Sequence, residues 1–154
     1  MTSVPTDLGT TTFPFFGEAV AMSKGPVGVG EVLTFGAPRA LIARIQETCP
    51  GLNIVAKPLS GVYSSRPSLF VVGFCYLLPE LTRAVPAFKR LVAPGGNLWV
   101  LWPRAESWDA EAIRPEMGVT EEAVQRLAAS LGLALAGRAE VDDVWTAAKL
   151  ASPV

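Results

Sequence analysis

The run LFVVGFCYLL, from Leu69 to Leu78, narrows the choice of folds more than any other part of the chain. It is about half the ~20 residues needed to cross a bilayer, and it lacks the polar alternation of a strand with one wet face. Its first part, LFVVGF at 69–74, reads as a strand buried on both faces, as in the middle of a parallel sheet. NLWVLW at 97–102 reads the same way. Half of the 154 residues are hydrophobic and only 18% are charged, which argues against disorder. The length suits a single domain that builds its own core without metals or disulfides.

Helical patterns alternate with these runs. VLTF at 32–35 is a short strand, Gly36 and Pro38 make a turn, and Leu41, Ile42 and Ile45 recur at helical spacing until the CPG at 49–51. Pro38 is expected at the first helical position, where a missing N–H is harmless. LNIVA at 52–56 is a second strand. The following KPLSGVYSSRPS has no helical period, so the usual parallel crossover is expected to shrink to a loop. PELTRAVPAFKRLV starts a helix at Pro79, and Pro86 inside it predicts a kink or two short helices. APGG at 93–96 reads as a sharp turn, and residues 103–118 as a polar loop.

Thr120 is placed to cap a helix with Glu121 and Glu122 in its first turn, an apolar face of Val124, Leu127, Ala128 and Leu131, and Gly132 as its stop. LALAGRAEV and VWTAAKLAS flank Asp142 and Asp143 and are expected to form a closing antiparallel pair. Alternating strands and helices predict a mostly parallel α/β sheet over residues 31–154. Residues 1–30, with prolines at 5, 14 and 26 and the cluster Phe13, Phe15 and Phe16, read as an arm. Its aromatics pack on the body, or join a neighbouring subunit as a homo-oligomer contact. The glycines of GPVGVG at 25–30 precede the first strand, whereas a phosphate cradle follows it.

Composition removes several classes of function. Lys plus Arg total 13 against 14 for Asp plus Glu, which gives no global positive field for nucleic acid or anionic lipid. The chain contains no histidine, so Ser-His-Asp, Cys-His and His-zinc chemistry are excluded. Cys49 and Cys75 have no CxxC spacing, and MTSVPTDLGTTTFPFF has neither a basic start nor a long apolar core. These features read as a cytoplasmic protein with reduced thiols.

RLVAPGGNLWVLWP resembles the L-x-P-G-G-x-L-x-V segment before the fifth strand of class I, S-adenosylmethionine-dependent methyltransferases. LAASLGLALAGRAEVDDVWTAAKL resembles their closing helix and final strand pair. GGNLWVLWPR and VDDVW are also similar to segments of a small bacterial group with a pared-down version of that fold. The resemblance implies a three-layer Rossmann-like sheet with the third strand and its helix missing. It also implies S-adenosylmethionine as the cofactor to test. The first strand of such enzymes runs into an acidic residue and a G-x-G-x-G loop; here the turn is Phe35-Gly36-Ala37-Pro38-Arg39. Their second strand ends in an acid that holds the ribose hydroxyls; here it runs into Lys57 and Pro58.

Open parallel sheets bind ligands at the carboxyl ends of their strands, beside the switch in strand order. That rule selects Gly36, Ala37, Arg39, Lys57, Gly73, Cys75 and Tyr76 as cofactor-site candidates, with Trp102 and Arg104 after them. Arg39, Lys57 and Arg104 form a candidate anion cluster, against chance clustering of surface cations. Cys75 reads as a buried small hydrophobe before a reactive thiol, and Trp99 and Trp102 as buried before ligand-walling. Ser64, Ser65 and Arg66 read as a turn before a phosphate site, and Glu106, Asp109 and Glu111 as solvated. No catalytic or metal residue is assigned. The expected function is a methyltransferase-like module with a degenerate cofactor loop and no resident cofactor, binding an unidentified small ligand or protein. The alternative is a minimal S-adenosylmethionine-dependent methyltransferase acting on a small substrate.

Overall fold

The structure, a computed structural model, describes residues 31–48, 53–63, 65–104, 118–140 and 145–151. The N-terminal arm, Cys49, Ser64, the carboxylates of the 105–117 loop and the turn at Asp142 and Asp143 lie outside the described residues.

The elements run β1 (Glu31–Phe35), α1 (Arg39–Thr48), β2 (Asn53–Lys57), a 3-10 helix (Leu59–Tyr63), β3 (Ser68–Phe74), α2 (Leu78–Leu91), β4 (Val92–Pro103), α3 (Glu121–Ser130), β5 (Ala134–Glu140) and β6 (Trp145–Ala151). One six-stranded sheet joins the strands in the order β2-β1-β3-β4-β6-β5. The first four strands are parallel, and β6 runs antiparallel to both β4 and β5. The expected sheet, with its antiparallel closing pair, is what forms. Among the described residues between β2 and β3 there is no further strand and only the short 3-10 helix, so the crossover is reduced as expected.

Alternate residues along the strands feed two cores, as the twofold period of a strand requires. Leu33, Phe35, Val71, Val100 and Trp102 pack against α2 and α3, with Val62 of the 3-10 helix among them. Val32, Phe70, Val72, Phe74, Trp99 and Leu101 face the other way, onto Leu41 and Ile45 of α1. The continuous apolar runs of β3 and β4 exist because both faces of these strands are covered.

Three expectations change. Pro86 does not divide its helix, because α2 runs unbroken from Leu78 to Leu91 and buries Leu81, Ala84, Val85, Ala87, Phe88 and Leu91. An interior proline costs about 3 kcal/mol, while each large side chain buried recovers about 1.5–3 kcal/mol, so the face outweighs the missing hydrogen bond. APGG is not a sharp turn ahead of the strand but lies within β4, as a bulge. The ladder advances from Ser68 to Phe70 on β3 while it advances from Val92 to Asn97 on β4. Pro38 sits one residue earlier than expected, before the helix, where its carbonyl accepts the first helical bond from Ile42 N–H at 3.1 Å.

The ends of the later helices follow their sequence signals. Thr120 accepts from Ala123 N–H at 3.2 Å at the start of α3. Gly132, at φ +75, closes α3, and Leu133 N–H bonds to the Ala128 carbonyl at 2.8 Å. Leu77 has no side-chain acceptor to cap α2. Glu80 supplies the cap, its Oε1 accepting from the N–H groups of Tyr76 at 2.9 Å and Leu77 at 3.0 Å.

Candidate functional site

The strand order reverses between β1 and β3, and Gly36 stands at that point, one residue beyond the end of β1. Its φ of +75 is open to glycine and strained for other residues. A Cβ there would lie 3.0 Å from the Phe74 carbonyl oxygen and 3.8 Å from Leu59 Cβ. The Gly36 N–H donates to the Lys57 carbonyl at 2.9 Å. The ends of β1, β2 and β3 are therefore tied together around one glycine, with the 3-10 helix against it.

Ala37 is half-buried against the core under α1, and Arg39 is exposed at the first position of that helix. Lys57 is half-buried. Its stem passes along Gly61, where a Cβ would meet Lys57 Cβ at 3.3 Å. Its ammonium donates to Ser65 Oγ at 3.0 Å, and Ser65 Oγ donates to the Gly61 carbonyl at 2.8 Å.

Gly73 is explained by packing: a Cβ at that position would overlap the ring of Phe88, which is stacked on Phe35 with centroids 5.7 Å apart. Cys75 is wholly buried, and its N–H donates to the Leu101 carbonyl at 2.9 Å. Burial, with a smaller contribution from the Glu80 charge, pushes its thiol up to about 12. The reagent-accessible thiolate that a reactive cysteine needs is thus absent. Tyr76 is 37% exposed and stands edge-on to Trp145 at 5.0 Å between centroids. Partial burial and then Glu80 raise its phenol above its ordinary range.

Two combinations considered from sequence do not assemble. Lys57 ends β2 and Arg104 follows β4, and these strands are separated by β1 and β3. Three strand spacings of ~4.8 Å put the strands roughly 14 Å apart, so Arg104 does not share a neighbouring strand end with Lys57, whereas Arg39 follows β1, the strand beside β2. Trp99 and Trp102, 5% and 3% exposed, belong to opposite cores and cannot wall one pocket.

Sequence reasoning missed the cleft beside these strand ends. It has a volume of about 230 Å³ between the 3-10 helix and the first turns of α2. Leu59, Val62 and Ala84 give it apolar surface, and Ser60, Glu80 and Arg83 give it polar groups. Tyr63, 66% exposed, stands on its rim. Leu59 serves both places, lining the cleft and abutting Gly36. The i, i+3 spacing of Leu59 and Val62 is the period of a 3-10 helix, a signal present within a segment read as loop.

Among the described residues no helix is long and apolar enough to cross a membrane. No family model and no curated protein matches the sequence. Solved structures do match. Magnesium protoporphyrin IX methyltransferase from Synechocystis PCC 6803 with bound SAH superposes with a TM-score of 0.60 at 9% identity, covering 94% of this chain and 84% of that one. The N-methyltransferase NodS from Bradyrhizobium japonicum WM9 gives 0.52 at 13% identity, covering 92% of this chain and 96% of that one. The mitomycin 7-O-methyltransferase MmcR gives 0.59 at 14% identity over 96% of this chain, which spans only 53% of that enzyme. The chain therefore has the fold of the class I, S-adenosylmethionine-dependent methyltransferases, with a 3-10 helix as the crossover between β2 and β3.

Proposed function

We propose that this chain binds an adenosyl cofactor of the S-adenosylmethionine type at the carboxyl ends of β1, β2 and β3 and acts as a small methyltransferase. The observation that carries the reading is Gly36. It stands at the switch in strand order with φ +75 and no side chain, in a fold shared with an enzyme solved with SAH bound. The residues fit the group in part. Gly36 and Ala37 would hold its amino-acid portion, and the apolar wall of the cleft at Leu59, Val62 and Ala84, with Tyr63 on the rim, suits a flat ring. Lys57 does not reproduce the carboxylate that accepts from ribose hydroxyls.

When bound, such a cofactor supplies an electrophilic methyl group. The protein's own share is to hold the donor at the strand ends and to bring an already nucleophilic small substrate into line with it. No side chain is assigned as a base. The test is a calorimetric titration with S-adenosylmethionine and its demethylated product. Micromolar binding that is lost in Gly36→Val supports the reading. Absence of both heat and thermal shift at millimolar ligand overturns it.

A second reading is supported by Lys57 and by Leu59 lying against Gly36: a non-catalytic module that uses the same strand-end cleft for another small ligand or a protein. Both readings place the ligand at the ends of β1 to β3 and differ in its identity. Methyl transfer from labelled cofactor to any acceptor, including the protein itself, excludes the second.

A further inference from the structure

Lys57 ends β2, the strand whose tip faces the ribose in nucleotide-binding sheets of this topology. A carboxylate at that tip accepts from the two hydroxyls of a bare ribose, whereas a cation there accommodates a phosphate on the sugar. An ammonium offers three donors and accepts nothing. At Lys57 one donor is used, on the uncharged Ser65 hydroxyl, and no ion pair involves this residue among the described residues. The side chain is held rather than free to sweep the solvent. Its stem lies along Gly61, and Ser65, itself anchored on the Gly61 carbonyl, fixes the ammonium. The charge is half-buried, so it is screened less than a surface lysine would be. Arg66, exposed next to Ser65, adds a second cation to the same loop.

We propose that Lys57 is the specificity-determining residue of this site and selects an adenosine ligand carrying a phosphate on its ribose over one with a free diol. The proposal rests on the second, small-ligand reading of the ends of β1 to β3, names an adenosine ligand for it, and competes with the methyltransferase reading, whose cofactor carries a free ribose diol. An ammonium fixed by one hydroxyl keeps two donors for phosphate oxygens, and such charge-assisted bonds are about twice as strong as neutral ones. A bare ribose gains less than a phosphate, because Lys57 can donate to a hydroxyl oxygen but cannot accept from it as a carboxylate would.

The test is a titration of the intact chain with adenosine, adenosine 2′-phosphate, adenosine 3′-phosphate and S-adenosylhomocysteine, repeated in Lys57→Met, Lys57→Glu and Ser65→Ala. At least one ribose phosphate is expected to bind roughly tenfold or more tighter than adenosine, with a preference that shrinks as salt rises. Lys57→Met abolishes the preference, and Lys57→Glu reverses it in favour of the free diol. Ser65→Ala removes the same internal bond but keeps the charge, so it retains the preference even where the fold is weakened. That result separates ligand selection from a loop-bracing role. Equal affinity for all ligands, or a preference that survives Lys57→Met, overturns the proposal. Tight binding of S-adenosylhomocysteine without any phosphate preference overturns it and leaves the methyltransferase reading standing. Binding of none of the ligands overturns both.

Discussion

Gly36 and Phe74 meet backbone to backbone at the point where the strand order reverses: a Cβ on residue 36 would stand 3.0 Å from the Phe74 carbonyl oxygen. With φ at +75 as well, the position excludes side chains on two independent grounds. Forcing an L-residue into that region costs about 1–2 kcal/mol, and the contact with Phe74 adds to it. Gly36→Ala should lower the unfolding free energy by at least that amount, and Gly36→Val by more, read as a fall in denaturant midpoint at unchanged slope. An unchanged midpoint in both would show that the turn can rearrange.

Gly73 and Phe88 form a second dependent pair, this time through packing. Gly73→Ala should destabilise the fold by roughly 1–3 kcal/mol, because the added Cβ would overlap the ring of the fully buried Phe88. In a Phe88→Ala background the same substitution should cost far less, since the ring it strikes is gone. A double-mutant cycle measures this coupling, and additivity within a few tenths of a kcal/mol would refute it.

Cys75 should resist thiol reagents in the native protein and react on unfolding. Its folded-state value is raised from 9.0 to about 12, so between those values the folded chain binds a proton that the unfolded chain has released. Stability from this group is therefore complete below pH 9 and falls as pH rises toward 12. Urea midpoints at mildly and strongly alkaline pH should converge less in the parent than in Cys75→Ala, which has no thiol to titrate. Equal alkaline losses in the two proteins would contradict the assignment.

Thr120 caps α3 through a single hydrogen bond to Ala123 N–H. Thr120→Ala should cost about 1 kcal/mol and Thr120→Ser almost nothing, as thermal or chemical melts can measure. The loss should be insensitive to salt, because no net charge is removed.

The candidate site was legible where a signal is local. The glycine and proline after the first apolar run marked the Gly36 turn, and Lys57 was singled out because a cation stood where an acid was expected. For Gly73, read from sequence as a ligand-site candidate, the position of Phe88 supplies a packing reason for glycine that no local signal carries. The cleft lined by Leu59, Tyr63, Glu80 and Arg83 escaped notice because its walls come from two segments that polar composition presented as a loop and a helix end. Arg39, Lys57 and Arg104 looked like neighbours on a list of strand ends, and strand order set β2 and β4 apart.

For the fold, the sequence alone determined the elements whose signals lie within a few residues of one another. The doubly buried strands, the Thr120 cap, the Gly132 stop and the antiparallel closing pair follow from period, capping chemistry and turn residues. The tertiary structure decided what depends on partners far along the chain. Burial of one helical face carries α2 through Pro86, and pairing with β3 draws APGG into β4 as a bulge. The twofold period of β4 sends Trp99 and Trp102 into different cores. Local propensities amount to about a kilocalorie or less for most residues, and the burial of a packed face amounts to several, so packing settled each point on which the two disagreed.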